Sequence, residues 1–115
     1  MTPEQRIPAH LADMLQFVAE LRALVSGVSR DDYLTNRVLN LAFEKLFINL
    51  GEAASRIDPS QRAALDGVPW RQIIGLRNIL AHGYEQIEHE SLYRTATQDL
   101  AAVEAALRRA LNRLA

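Results

Sequence analysis

The chain has no cysteine. That excludes a disulfide scaffold, a thiolate zinc site and a cysteine nucleophile. Histidine is scarce: His10, His82 and His89 are the whole supply, poor material for an all-histidine metal site. No sign of charge dominates, since 13 basic residues against 14 acidic ones leave a formal net charge of −1. A wholly basic nucleic-acid coat protein is thereby excluded, and any basic surface must be local. Long apolar runs are missing, so nothing approaches a membrane span. The Met1-Thr2-Pro3-Glu4-Gln5-Arg6 start lacks the apolar core of a signal peptide. The expectation is a soluble protein of a reducing compartment, most simply the cytoplasm, without membrane contact. At 115 residues it should form one domain over 1–115, large enough to bury a single core.

What is present points to helix. Leu and Ala are the commonest residues, and the β-branched and aromatic residues favoured in strands are sparse. Pro8 is expected to open a first helix running to about Ser26, with Leu11, Met14, Leu15, Val18, Leu21 and Val25 in one apolar stripe. Ser29, with Asp32 three residues on, reads as an N-cap. A second helix should follow to about Ile57, with an interruption near Thr35-Asn36. Its apolar positions, from Val38 and Leu41 through Phe43, Phe47 and Leu50 to Ala54, cover more than one face. The surplus predicts contact with a second copy of the chain; the competing reading is a central helix wrapped by its neighbours. Asp58-Pro59 reads as cap and first residue of a short helix ending near Asp66-Gly67. Another helix should span Pro69 to about His82, closed by Gly83, and a last one Glu88 to the C-terminus along Leu92, Ala96, Leu100, Val103, Leu107 and Leu111. The expected fold is all-α, an up-and-down bundle of four to five helices.

Chemistry concentrates at the end of the fourth of these segments, in Arg77-Asn78-Ile79-Leu80-Ala81-His82-Gly83-Tyr84. Histidine moves protons near neutral pH, and arginine can hold phosphate oxygens through two parallel hydrogen bonds. Together, with no metal or cofactor, they suit cleavage of an RNA phosphodiester by its own 2′-hydroxyl. On a continuous helix, however, residues five apart lie about 140° apart around the axis. Either the helix unwinds by Gly83 and swings His82 round, or the site combines groups from two chains. The bland alternatives are a dipole-favoured histidine at a helix end, a solvated arginine and a tyrosine that only packs.

The run Val68-Pro69-Trp70-Arg71-Gln72-Ile73-Ile74-Gly75-Leu76-Arg77-Asn78-Ile79-Leu80-Ala81-His82-Gly83-Tyr84 resembles the HepT-like toxins of the HEPN superfamily. The match includes their R-x4-H-x-Y signature at Arg77, His82 and Tyr84. Leu50-Gly51-Glu52-Ala53-Ala54 is similar to the Gly-Glu-Ala segment of the same family's long helix, and helical order agrees over nearly the whole chain. Asn49 departs from the usual apolar residue, and the part before Leu34 matches in helical pattern alone.

The resemblance implies the toxin component of a type II toxin–antitoxin system, a metal-independent endoribonuclease that works as a homodimer. His82 would be the proton-transfer residue and Arg77 the phosphate ligand, with Asn78 orienting Arg77 or touching substrate. It also implies an MntA-type nucleotidyltransferase antitoxin that transfers AMP to Tyr84. Such a group would add negative charge and bulk where RNA phosphate must enter. Glu52 would anchor an arginine or fix helix packing. Arg71 and Arg94 are candidates for RNA backbone contacts on the rim, His89 a candidate neighbour of the motif, Trp70 a packing residue and His10 a surface residue. Two other readings stand beside the nuclease: a non-catalytic helical partner of the nucleotidyltransferase, and a plain interaction domain without a site.

Overall fold

The computed structural model describes residues 1–83 and 87–115. Among these the only regular secondary structure is helix. Helix α1 is Pro3–Val25, α2 Arg30–Thr35, α3 Arg37–Ser55, α4 Pro59–Ala64, α5 Trp70–His82, α6 His89–Arg94 and α7 Leu100–Arg113. A π-helical turn, Thr95–Asp99, joins α6 to α7.

The first helix begins a turn and a half earlier than Pro8 suggests. Thr2 and Gln5 form a reciprocal capping box: the Gln5 amide donates to Thr2 Oγ1 at 3.2 Å, and the Thr2 amide donates to Gln5 Oε1 at 2.8 Å. Pro3 takes the first helical position, where its missing N–H costs nothing. Pro8 therefore lies inside the helix, and Ile7, 4 % exposed, extends the buried stripe of Leu11, Met14, Val18, Leu21 and Val25.

The expected interruption falls at Asn36, which ends α2 and caps α3, its Oδ1 accepting from the Leu39 amide at 3.0 Å. Asp58 sits where a cap was expected but makes no side-chain cap bond, and the short helix stops at Ala64. The π turn was not anticipated. From Leu92 to Ala96 to Leu100 the apolar residues step by four, which drifts by about 80° on a regular helix. The wider π turn takes up that drift and keeps Leu92, Ala96, Leu100, Val103 and Leu107 in the core.

Helix α3 packs between α1 and α5, and α1 packs in turn against α7. Phe43, Phe47, Leu50 and Ala54 of α3 meet Leu11, Met14 and Val18 of α1 and Leu100, Val103 and Leu107 of α7 in one buried cluster. Each such leucine or phenylalanine contributes about 1.5–3 kcal/mol by leaving water. Most of the apolar surplus on α3 is consumed this way, as in the wrapped-helix reading. Val38 and Leu41 remain, 75 % and 47 % exposed, with Ile79 of α5 at 49 %. No described helix is long and apolar enough to cross a membrane.

Candidate active site

Helix α5 carries the motif, and its placement is set from both ends. At its start Trp70 Nε1 donates to the Leu65 carbonyl at 3.0 Å, a buried bond that fixes the loop entering the helix. At its end the Gly83 amide donates to the Ile79 carbonyl at 2.7 Å, closing the last turn. The helix is unbroken through His82, so His82 does not swing round to join Arg77.

The decisive contact is between α5 and α3. Gly51 is buried in the seam. A Cβ there would overlap the Arg77 Cβ, and would stand 2.8 Å from its Cγ and 3.1 Å from the Ile73 carbonyl oxygen. Glycine at 51 therefore lets the two backbones close to a distance that no other residue permits. The base of Arg77 is clamped, while its head reaches toward solvent with the side chain 30 % exposed.

There Arg77 Nη1 donates to Asn78 Oδ1 at 3.2 Å, and Nη2 lies 3.8 Å from Glu52 Oε1. Arg77 Nε is buried without a hydrogen-bond partner among the described residues. A guanidinium has five N–H donors, and among the described residues most of these are not committed. A clamped, partly desolvated cation with spare donors is suited to an oxyanion such as a phosphate.

His82 occupies the last helical position and is exposed. On helical geometry it shares one face of α5 with Arg71, Gly75 and Asn78, while Arg77 lies about 140° from it around the axis. Arg71 is exposed at the opposite end of that face, about 16 Å along the axis from His82. The chain thus brings Arg77, Asn78 and Glu52 together; His82 lies one turn beyond Asn78 on the same face but turned away from Arg77, and Arg71 stands at the far end of that face. Tyr84 lies outside the described residues.

Between α5 and α6 runs an open cleft of about 650 Å³, floored by Leu76, Ile79, Leu80, Ile87 and Leu92, with Glu88 and Ser91 on its rim. A second hollow of about 470 Å³ continues past Leu76 to Thr95 and Asp99 of the π turn. Arg94 is exposed, its Nη2 donating to Ser91 Oγ at 3.2 Å. His89 faces the other way. Its Nε2 lies 2.8 Å from Glu44 Oε2 on α3, with the two side chains only 26 % and 21 % exposed. Nearby, Tyr33 is wholly buried and its hydroxyl has no partner among the described residues. Burial, with a smaller push from the Glu44 charge, raises its phenol well above the ordinary tyrosine range. No three His, Asp or Glu side chains among the described residues gather as a metal site.

Two of these arrangements were not legible from residue spacing. The Gly51 seam carried one signal, a glycine inside a long helix where alanine would be about 1 kcal/mol better. The Glu44–His89 pair joins residues 45 positions apart and carried none.

The architecture and motif define a class: a helical bundle presenting an arginine, an asparagine and a histidine on α5, the helix that α3 clamps. Sequence comparison gives the family. The family described as Ribonuclease HepT-like matches residues 14–110, and the chain belongs to it; its activity class is that of a ribonuclease. It is 26 % identical over 98 residues to a Methanocaldococcus jannaschii protein named "Putative RNase MJ1380", covering 85 % of this chain and 90 % of the other. It is 27 % identical over 104 residues to "Putative RNase TTE0752" of Caldanaerobacter subterraneus, covering 90 % and 93 %. It is 24 % identical over 96 residues to "Probable ribonuclease HepT" of Thermococcus cleftensis, covering 80 % and 87 %. No solved structure matches significantly.

Proposed function

We propose that the protein is the toxin of a type II toxin–antitoxin system and cleaves RNA internally, without a metal, at a site shared by two copies of the chain. One observation carries this reading: Arg77 and His82 sit on one unbroken helix, yet about 140° apart around its axis and about 7.5 Å apart along it. A single chain offers the two groups in different directions. Two chains facing each other across a two-fold axis bring two of each to one cleft. The exposed Val38, Leu41 and Ile79 supply apolar surface that such pairing would cover.

In this reading one His82 imidazole takes the proton of a ribose 2′-hydroxyl, whose oxygen attacks the adjacent phosphorus. The bond from phosphorus to the 5′-oxygen breaks, and that oxygen takes a proton from the partner's His82, held as imidazolium. The products are a 2′,3′-cyclic phosphate and a 5′-hydroxyl end. Arg77 stabilises the charge gathering on the phosphoryl oxygens. Glu52 and Asn78 hold its guanidinium, and Arg71 contacts the RNA backbone further along the same helix. An MntA-type nucleotidyltransferase antitoxin would silence the site by transferring AMP to Tyr84, two residues beyond His82, placing a phosphodiester where the substrate phosphate enters.

The test is expression of wild type, His82→Ala and Arg77→Ala, with growth and RNA cleavage as readouts. Wild type should cleave and inhibit growth, and each variant should lose both by at least a hundredfold. Full cleavage by both variants overturns the reading. AMP transfer to Tyr84 by a nucleotidyltransferase, with no cleavage by wild type, would make the chain a binding partner of that enzyme rather than a nuclease.

A further inference from the structure

The end of α5 opposite His82 carries a basic feature that the motif does not use. Between α4 and the start of α5 lies an open hollow of about 420 Å³, lined by Arg62, Asp66, Pro69, Arg71 and Gln72 among others. Arg22, Arg30, Arg77 and Arg113 each face a carboxylate. Arg62 and Arg71 have no acidic partner among the described residues. The one acid on the wall of the hollow, Asp66, already faces Arg113, with Nη1 at 3.6 Å from Oδ1. In a chain of net charge −1, two unpaired guanidinium groups in one hollow make a local positive site.

Arg62 is also held in place. Its Nε donates to the Ile57 carbonyl at 2.8 Å, which fixes the guanidinium and leaves its two terminal amino groups uncommitted among the described residues. A guanidinium held by Nε still presents the fork of terminal N–H groups that matches two phosphate oxygens. Arg71 is exposed.

Arg71 shares its face of α5 with Gly75, Asn78 and His82, and stands about 16 Å from His82 along the axis. Nothing blocks the way between them. Asn78 is exposed, and a Cβ at Gly75 would meet nothing within 4 Å, so the helix backbone there is open to close approach. These groups stand in single file along one helix, which suits one strand rather than two. A stacked strand advances about 3.4 Å per nucleotide. His82 and Arg71 are then about five nucleotides apart along it, fewer where the strand is extended.

We propose that the hollow between α4 and α5 is a distal phosphate site, in which Arg62 and Arg71 hold the backbone of a single RNA strand laid along the face of α5 that ends at His82. This rests on the reading of Arg77 and His82 as a nuclease motif and adds a requirement to it. The substrate carries about five unpaired nucleotides on one side of the scissile bond. Shorter RNA reaches the motif without reaching the hollow.

The test measures the affinity of the full-length chain for single-stranded RNA oligomers of about three to twelve nucleotides, by fluorescence anisotropy. His82→Ala serves as the parent, so that bound RNA is not cut. Arg71→Glu, Arg71→Ala and Arg62→Ala are added to it in turn. Arg22→Ala, on α1, controls for the loss of one charge, and melting curves check folding. The parent should gain at least tenfold in affinity as the oligomers become long enough to span both sites. Each Arg62 or Arg71 variant should lose most of that gain. The slope of log affinity against log salt should also become shallower by about 0.7 for each phosphate contact removed. Arg22→Ala should keep the gain. Arg71 makes no ion pair among the described residues, so its variants carry the test if Arg62→Ala unfolds. A length gain and salt slope that survive Arg71→Glu overturn the proposal and leave the nuclease reading standing. An equal loss in Arg22→Ala overturns it too, since net charge alone would then be at work. No RNA binding by the parent at any length, together with no cleavage by wild type, removes the nuclease reading and the proposal with it.

Discussion

The two flanks of α5 are built on opposite plans. Toward α3 the helix is pressed to backbone contact: Gly51 has no side chain because Arg77 Cβ and the Ile73 carbonyl already fill that space. Toward α6 it stands away, over a cleft of about 650 Å³. The tight flank fixes the arginine. On the open flank the contact that closes the histidine end is the helix's own, from the Gly83 amide to the Ile79 carbonyl. A motif written on consecutive turns of one helix is thus held in two mechanically different ways. Rigidity at an active site is a property of the neighbours, not of the motif.

Two glycines make the comparison quantitative. Gly51 lies in the tight seam, while a Cβ at Gly75 would meet nothing within 4 Å. Gly51→Ala has the larger expected effect. The added methyl must push α3 and α5 apart, at a cost of about 2–3 kcal/mol in chemical denaturation, and RNA cleavage should fall with it because Arg77 is displaced. Unaltered stability would mean that the seam yields freely and that the contrast between the flanks is false.

Gly75→Ala should go the other way. Alanine at an open helical position stabilises by about 0.5–1 kcal/mol, chiefly by restricting the unfolded chain. Loss of stability would show that the solvent face of α5 is more crowded than its surroundings indicate. A stabilised variant that no longer cleaves RNA would sharpen the picture instead, marking that face as one a partner or substrate approaches closely.

The smallest expected effect lies on α6. Hydrogen bonding to Arg30, then its charge, holds the Glu90 carboxyl below its ordinary value. A depressed carboxyl contributes stability above its unfolded pKa, about 4.3, and loses it as pH falls through the folded value. Acid unfolding of wild type and Glu90→Gln should therefore diverge slightly above pH 4 and converge below it. Equal curves at all pH values would show that this exposed pair is too weak to matter, leaving α6 to the bonds of His89 with Glu44 and of Tyr93 with the Val28 carbonyl.

Much of this was readable in advance. The apolar stripes of α1, α3 and α7, the break at Asn36 and the glycine stop at Gly83 are local consequences of helical periodicity and capping, and periodicity is written in the chain. Pro8 misled because a proline is a generic start signal, whereas Thr2 and Gln5 form a specific reciprocal one. Local pattern also gathered Arg77, Asn78, His82 and Tyr84 into one candidate, and showed that a straight helix cannot aim Arg77 and His82 together.

Tertiary structure alone decided the rest. Which face of α3 meets α5, and how closely, depends on Gly51 finding Arg77, 26 positions further along the sequence. The Glu44–His89 bond depends on α6 folding back over α2 and α3. Periodicity tells a helix which side to bury and is silent on what it is buried against. The sequence by itself determined the helices and the chemical groups they carry. The packing of one helix on another determined which of those groups are held, which are left exposed to solvent and how they are aimed.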